Sequence, residues 1–289
     1  MSVFPTYNFV CTMLRAILYT FVVVAVTMTV AAQVPNSPRA FVGNAFLSPD
    51  QPKVDLPGVV ALPRMAPELA LQIYQQHAVE QNSKLAEYTD DTLVQAELPD
   101  TSQRGEYELV RNYSAEPRQL SFRSVKYTGD TFVKTNVITR LLQSEVDHVQ
   151  KLDPSASAIN DKNYKFGYKG TEILDGHLTH VFQVKPRHKS SNLFKGKIFV
   201  DAYTGSLRRA EGTVSKSPSF FIRKIEFVQD FEDINGFTVP VAMRSTTKAR
   251  IIGRAIVNVF HRGYNLKPAP APTNALTQEI AKSVMQAIY

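Results

Sequence analysis

Phe194-Lys-Gly-Lys-Ile-Phe-Val-Asp-Ala-Tyr-Thr-Gly-Ser-Leu-Arg-Arg-Ala-Glu-Gly-Thr-Val214 is the stretch whose reading decides the fold. Lys197 to Val200 is a short β-rich run. Asp201 to Gly205 is a turn, because an Asp side chain bonds the backbone ahead of it and Gly tolerates positive φ. Leu207 to Val214 is the return arm, so the stretch predicts a hairpin with a loop of about five residues. More hairpin signals lie on both sides, and together they predict a long antiparallel sheet.

Upstream, Tyr164, Phe166 and Tyr168 alternate with Lys165, Gly167 and Lys169. Asp175-Gly176 turns the chain into Leu178, His180, Phe182 and Val184 on one face, and Pro186 stops the run. Downstream, Phe220 to Phe231 predicts a long strand, with Phe221, Ile225, Phe227 and Phe231 on one side and Phe220, Ile222 and Val228 on the other. Asn235-Gly236 turns into Phe237–Pro240. Val241 to Lys248 and Ile251 to Tyr264 form a last pair. Earlier, Thr92 to Leu98, Gly105 to Ser114 and Gln119 to Tyr127 read as strands. Tyr107, Leu109, Arg111 and Tyr113 share one face of the second of these. Gly129-Asp130 reads as a turn before Phe132-Val133.

Two helices stand out in the body of the chain. Ala66-Pro67-Glu68 opens an amphipathic helix through Leu69, Ile73, Tyr74 and His77 to about Lys84, with Pro early and an acid in the first turn. Asn136 to Gln150 carries Val137, Leu141, Leu142, Val146 and Val149 at helical spacing and Arg140, Glu145 and Asp147 on its polar face. At least nine strands with few helices predict an α+β protein dominated by a curved antiparallel sheet. The curvature is expected because Phe220/Phe221, Ile198/Phe199/Val200 and Val181/Phe182 are apolar on both faces, where a flat antiparallel sheet shows one wet face.

The ends differ in character. Residues 1–32 hold an apolar stretch after Arg15, followed by Val30-Ala31-Ala32, and predict an export signal cleaved before Gln33. An uncleaved membrane anchor is the alternative, since the stretch is at the short end of what spans a bilayer. Residues 33–65 are proline-rich and read as a linker. Residues 66–266 form the folded domain. Lys267 to Pro272 is a stiff Pro-Ala spacer before a helix over Asn274–Ile288. The lone cysteine, Cys11, lies inside the signal, so the exported chain would hold no disulfide and no thiolate chemistry.

The 289-residue chain carries a formal net charge of +7, with a pI near 9.3, spread along its length. That mild excess could favour an anionic membrane surface, and the basic loop Lys185, Arg187, Lys189 and Lys195 reads as a solvated loop by default and as a contact with such a surface otherwise. No run of basic residues interleaved with aromatics is dense enough for a nucleic-acid groove. There is no nucleophile elbow, phosphate loop, dinucleotide fingerprint or His-Glu-x-x-His. His177 and His180 point to opposite faces of a strand, so they read as solvated or sheet-packed. Asp90-Asp91 and the Glu145/Asp147 pair read as solvated surface charges. No cofactor, metal or catalytic residue is expected.

From Tyr164 to Tyr264 the chain resembles the bacterial periplasmic lipoprotein-carrier superfamily, the LolA/LolB-like proteins and their relative RseB. The resemblance is carried by Gly196–Asp201 with Thr204-Gly205 and Leu207–Glu211, by the Asp175-Gly176 hairpin leading to Val181–Val184, and by Phe231–Pro240 with Asn235-Gly236 and Val239-Pro240. It implies an unclosed β-barrel that wraps or is lidded by helices. It also implies a periplasmic or envelope location and a hollow that holds acyl chains of lipoproteins. None of the carriers' functional residues maps onto this chain. The expected lining is therefore chosen as large residues on strands: Phe166, Tyr168, Phe182, Phe199, Phe227 and Phe260. The expected function is a non-enzymatic carrier for a lipid or lipoprotein acyl chain. A structural or sensory envelope protein docking a protein partner is the alternative, and a hydrolase built on scattered carboxylates and histidines ranks last.

Overall fold

The computed structural model describes residues 63–270, except 218, 219, 221, 251, 252 and the side chain of residue 82. The expected signal, most of the proline-rich segment and the C-terminal helix lie outside the described residues.

Helix α1 (Pro67–Lys84) leads directly into β1 (Leu85–Leu98), β2 (Gln103–Ala115) and β3 (Arg118–Gly129). A continuous helical segment follows: Thr131–Val133, a π-turn over Lys134–Ile138, and α2 (Thr139–Lys151). Seven strands then run to the end: β4 (Tyr164–Leu174), β5 (His177–Pro186), β6 (Phe194–Asp201), β7 (Leu207–Val214), β8 (Ile222–Ile234), β9 (Phe237–Ala249) and β10 (Gly253–Pro268). The ten strands form one sheet in the order β3-β2-β1-β10-β9-β8-β7-β6-β5-β4, with every pair antiparallel.

This order explains the architecture. β4 to β10 are a meander, and β10 returns beside β1, so the first three strands and the last seven join inside one sheet. β3 and β4 are the free edges, and the barrel is therefore unclosed. The segment joining them, which contains α2, must cross from one edge to the other, and it does so along the concave side. Register shifts at Thr89/Asp91, Glu108/Leu109, Tyr168/Gly170, Phe199/Val200, Ile222/Lys224 and Asp230/Phe231 supply the bending. Each inserted residue raises local twist and turns the strand inward.

The concave face holds three apolar clusters. Val133, Val137, Ile138, Leu141 and Leu142 pack on Val94, Leu109, Ile225, Met243, Val257 and Val259. Ala70 and Tyr74 of α1 pack on Phe182, Val184, Ile198, Val200 and Phe227. Leu85, Tyr88, Tyr113, Leu120, Val149 and Val239 close one end. Helix α1 is pinned at its C-terminal end by Gln81, whose amide exchanges two 2.8 Å hydrogen bonds with the backbone of Thr238.

The decisive hairpin forms as its residue types dictate. Asp201 Oδ1 accepts from the N–H groups of Tyr203 (2.9 Å) and Thr204 (3.1 Å), and Gly205 takes a φ of +73°. Four expectations are corrected. The helical segment begins at Thr131 rather than at Asn136, because Val133 completes its buried stripe. Pro240 does not divide its strand, because it lies opposite the Asp230/Phe231 bulge, where a missing N–H is tolerated. Ile222 joins Ile225 on the concave side, because the Ile222/Lys224 bulge resets the alternation. The buried face of α1 is Ala70 and Tyr74, while Leu69 and His77 are exposed.

Candidate functional site

Two features of the concave side carry polar or aromatic side chains in unusual arrangements. The first is an open cleft of about 330 Å³ between α1 and strands β4–β5. Glu68, Leu71, Gln72 and Gln75 form one wall. Their spacing of i, i+3, i+4 and i+7 puts all four on a single helical stripe. The other wall is Phe166, Tyr168 and Phe182, with Asp161 at the rim. Register makes this wall: Tyr168 lies opposite Phe182, and Phe166 opposite Val184. The Tyr168 and Phe182 rings meet at 5.6 Å.

His180 fixes the orientation of Tyr168. Its Nε2 lies 3.0 Å from the carbonyl of Met65, which can only accept, so Nε2 carries the proton. Nδ1 is then free to accept from the Tyr168 hydroxyl at 3.3 Å. His180 is fully buried, whereas His177 is exposed and bonds Asp201 at 3.1 Å, so the two do occupy opposite faces.

Of the six expected lining residues, the structure brings three together in this cleft: Phe166, Tyr168 and Phe182. Phe227 lies in the core beneath them, edge-on to Phe194 at 5.1 Å. Phe199 alternates with Ile198 and Val200, which point into that core, and so occupies the other face of β6. Phe260 alternates with Val257 and Val259 in the same way and is half-buried on the convex side. The α1 wall was missed by sequence reasoning, although the spacing of Glu68, Leu71 and Gln75 was there to find it.

The second feature is a buried ion cluster. Arg111 of β2, 1% exposed, donates to Asp90 of β1 (Nε–Oδ2, 2.7 Å), Glu145 of α2 (Nη1–Oε1, 3.1 Å) and the Tyr264 hydroxyl of β10 (Nη2, 2.8 Å). The guanidinium also lies over the Tyr88 ring at 5.1 Å. Asp90 accepts from Thr92 Oγ1 (2.7 Å) and from His261 Nδ1 (2.9 Å). Burial would raise the Asp90 carboxyl, but Arg111 and the His261 hydrogen bond outweigh it and hold it well below the usual carboxylate range. At Glu145 burial wins over Arg111 and pushes the carboxyl up. Burial, reinforced by Arg111, lowers His261 to about 4, so its imidazole is neutral at pH 7.

This overturns the reading of Asp90 and Glu145 as solvated charges. The signal was present: Arg111 alternates with Leu109 and Tyr113, both core residues, and a charge on a core face needs a buried partner. The cluster lies under α2, and its chemistry is that of a helix-to-sheet clamp.

The profile of a family of unknown function, DUF5686, matches residues 119–266. The chain belongs to that family. The DUF5686 match spans α2, both edge strands and the hairpins that carry the carrier-like motifs. No curated protein matches the sequence. Among solved structures, this DUF5686 chain is similar to a DUF1329 family protein from Desulfovibrio piger ATCC 29098, with 11% identity and a TM-score of 0.38, covering 74% of this chain and 98% of that one. It is also similar to a putative outer membrane lipoprotein-sorting protein domain from Vibrio parahaemolyticus, with 11% identity and a TM-score of 0.38, covering 74% and 99%. A LolA superfamily protein from Nitrosomonas europaea shows 11% identity and a TM-score of 0.34 over 70% and 94%.

Proposed function

We propose that this chain is an exported, non-enzymatic binding protein that shelters a lipid or lipoprotein acyl chain in the cleft between α1 and β4–β5. The observation that carries the reading is the wall of Phe166, Tyr168 and Phe182 facing a helical stripe across an open volume of about 330 Å³. That volume is at the lower end of what small-molecule sites enclose. Each methylene buried there contributes about 0.8 kcal/mol. Eight or so would supply roughly 6 kcal/mol without any precise polar contact. Glu68, Gln72, Gln75 and Asp161 ring the cleft with polar groups, which suits an amphiphile whose tail enters while its head stays in water. The export-type N-terminus and the carrier-like hairpins agree with a periplasmic role in moving or holding lipoproteins.

Two measurements test it. Native mass spectrometry and organic extraction of the chain purified from an exporting host should find a lipid of defined mass. A clean apo mass, with no uptake on titration, would move the assignment to an envelope protein that docks a protein partner. The variant Phe166→Ala/Tyr168→Ala should weaken fluorescent fatty-acid binding about tenfold, the effect of losing ~1.4 kcal/mol. Because Phe166 packs on the core and Tyr168 bonds buried His180, the variant should lose some thermal stability, and its affinity is compared at a temperature where circular dichroism shows it folded. Unchanged affinity in this variant sinks the cleft assignment.

A further inference from the structure

One end of the half-barrel carries a row of cations that the fold itself does not need. Lys224 of β8 lies opposite Lys248 of β9, and Lys248 lies opposite Arg254 of β10. All three are exposed. Their neighbours Ile225, Thr247 and Ala255 point inward, so the row runs along the convex face. Adjacent strands are about 4.8 Å apart, and like charges directly opposite destabilise a sheet. Glu226 answers Lys224 at 2.7 Å. Among the described residues neither Lys248 nor Arg254 is in a salt bridge.

The turns at this end continue the pattern. Arg250 lies over the ring of Phe220 at 4.4 Å and donates from Nε to its carbonyl at 2.9 Å. That contact holds a phenyl ring of the β7–β8 connection which is 74% exposed. Exposed Lys216 precedes it. The β5–β6 connection, with exposed Lys189, is tied to the same end by the hydrogen bonds between Ser190 and Ser215 (3.1 and 2.8 Å). The turns at the other end carry Asp175, Asp201 and Asp233, and Arg208 and Arg209 already engage these. Asp100 of the β1–β2 connection lies at this end too and accepts from the Arg254 backbone N–H at 3.2 Å, but among the described residues it is in no salt bridge, whereas the acids of the other end are engaged by Arg208 and Arg209.

We propose that the Lys224–Lys248–Arg254 end of the half-barrel docks on an anionic lipid surface, with Phe220 entering the interface. Clustered cations beside an exposed aromatic are the two ingredients of interfacial binding: attraction to anionic headgroups and burial of apolar area at their boundary. A nucleic-acid strand would need a groove with several stacking rings, whereas this row is convex and has one exposed ring, Phe220, beside it. The docking end relocates the membrane contact expected of the Lys185–Lys195 loop, which becomes its flank. It does not depend on what the cleft holds.

The test is co-sedimentation of the full chain, purified as an exporting host leaves it, with vesicles of phosphatidylcholine alone or mixed with phosphatidylglycerol. The chain should favour the mixed vesicles and lose them as salt rises. Lys248→Gln/Arg254→Gln should weaken that binding about thirtyfold, the loss of two surface charges at ~1 kcal/mol each. Phe220→Ser should weaken it by up to about tenfold. Both variants alter exposed side chains, so an unchanged melting temperature confirms that the fold is intact. The Phe166→Ala/Tyr168→Ala variant should bind vesicles as the parent does, which separates this proposal from the cleft reading. Equal binding to both vesicle types, or full binding by the Lys248→Gln/Arg254→Gln variant, overturns it. So does a DNA duplex that binds the chain more tightly than the mixed vesicles do.

Discussion

Arg111 shows how one residue type decides a local structure. A guanidinium on a core face must be paired, and two strands and a helix supply Asp90, Tyr264 and Glu145. The two carboxylates are not equivalent. Asp90 is held charged, since its pKa is lowered, while burial of Glu145 works against its charge. Asp90→Asn should therefore destabilise the protein strongly, by about 3–5 kcal/mol, because it breaks a buried pair and leaves Arg111 under-compensated. Glu145→Gln should change stability by less than ~1.5 kcal/mol, because the amide oxygen still accepts from Arg111 and no buried negative charge is needed. Urea denaturation at pH 7 measures both. Equal losses in the two variants would mean that the carboxylates share the charge evenly.

At the scale of elements, the hairpin that reads most clearly in sequence is also where α1 docks. Gly205 has a φ of +73°, and a Cβ there would lie 2.5 Å from Ile73 Cγ2. The turn needs a glycine for its backbone and for the helix above it. Gly205→Ala should cost about 2–3 kcal/mol, combining ~1–2 kcal/mol of left-handed strain with the displaced isoleucine. Ile73→Ala in the same chain should recover the steric part, so the double variant should be more stable than the sum of the singles by denaturant titration. A loss below about 0.5 kcal/mol for the single change, as at an ordinary surface position, would mean that α1 does not rest on this turn. The turn itself was legible because Asp, Thr and Gly act locally. The buried face of α1 was not, because Leu69 and Ala70 differ in what lies opposite them rather than in anything along the helix.

For the whole molecule, the sheet order predicts a gradient of stability. β1 and β10, third and fourth in the order, pair on both sides, while β3 and β4 each pair on one side only. Hydrogen exchange should be slowest for the paired amides of β1 and β10. It should be fastest among the strands for the outward amides of β3 and β4, which have no strand partner. Uniform protection across β3, β4 and β10 would require the edges to be covered, by closure or by a second copy. The same topology places the cleft and the cationic end. Successive turns of a meander alternate between two ends, so the β5–β6, β7–β8 and β9–β10 connections gather their cations together.

The alternation of Tyr164–Tyr168, Leu178–Val184 and Phe227–Phe231 was enough to establish an antiparallel sheet, because side-chain period and turn chemistry are local properties of the chain. The apolar runs on both faces suggested curvature, although a dimer interface or a plain core would explain the same pattern. Phe166, Tyr168 and Phe182 were recognisable as candidates from size and strand position, and so were Phe199, Phe227 and Phe260. Sequence could not separate the two groups, because the face of a strand that meets a cavity depends on register and on bulges such as Ile222/Lys224 and Tyr168/Gly170. Nor could it join Arg111 to Glu145, 34 residues apart, or bring Lys224, Lys248 and Arg254 into one row. Those neighbours are made by strand pairing and by the helix that crosses between the two free edges, and long-range pairing is settled by the packing of the whole sheet.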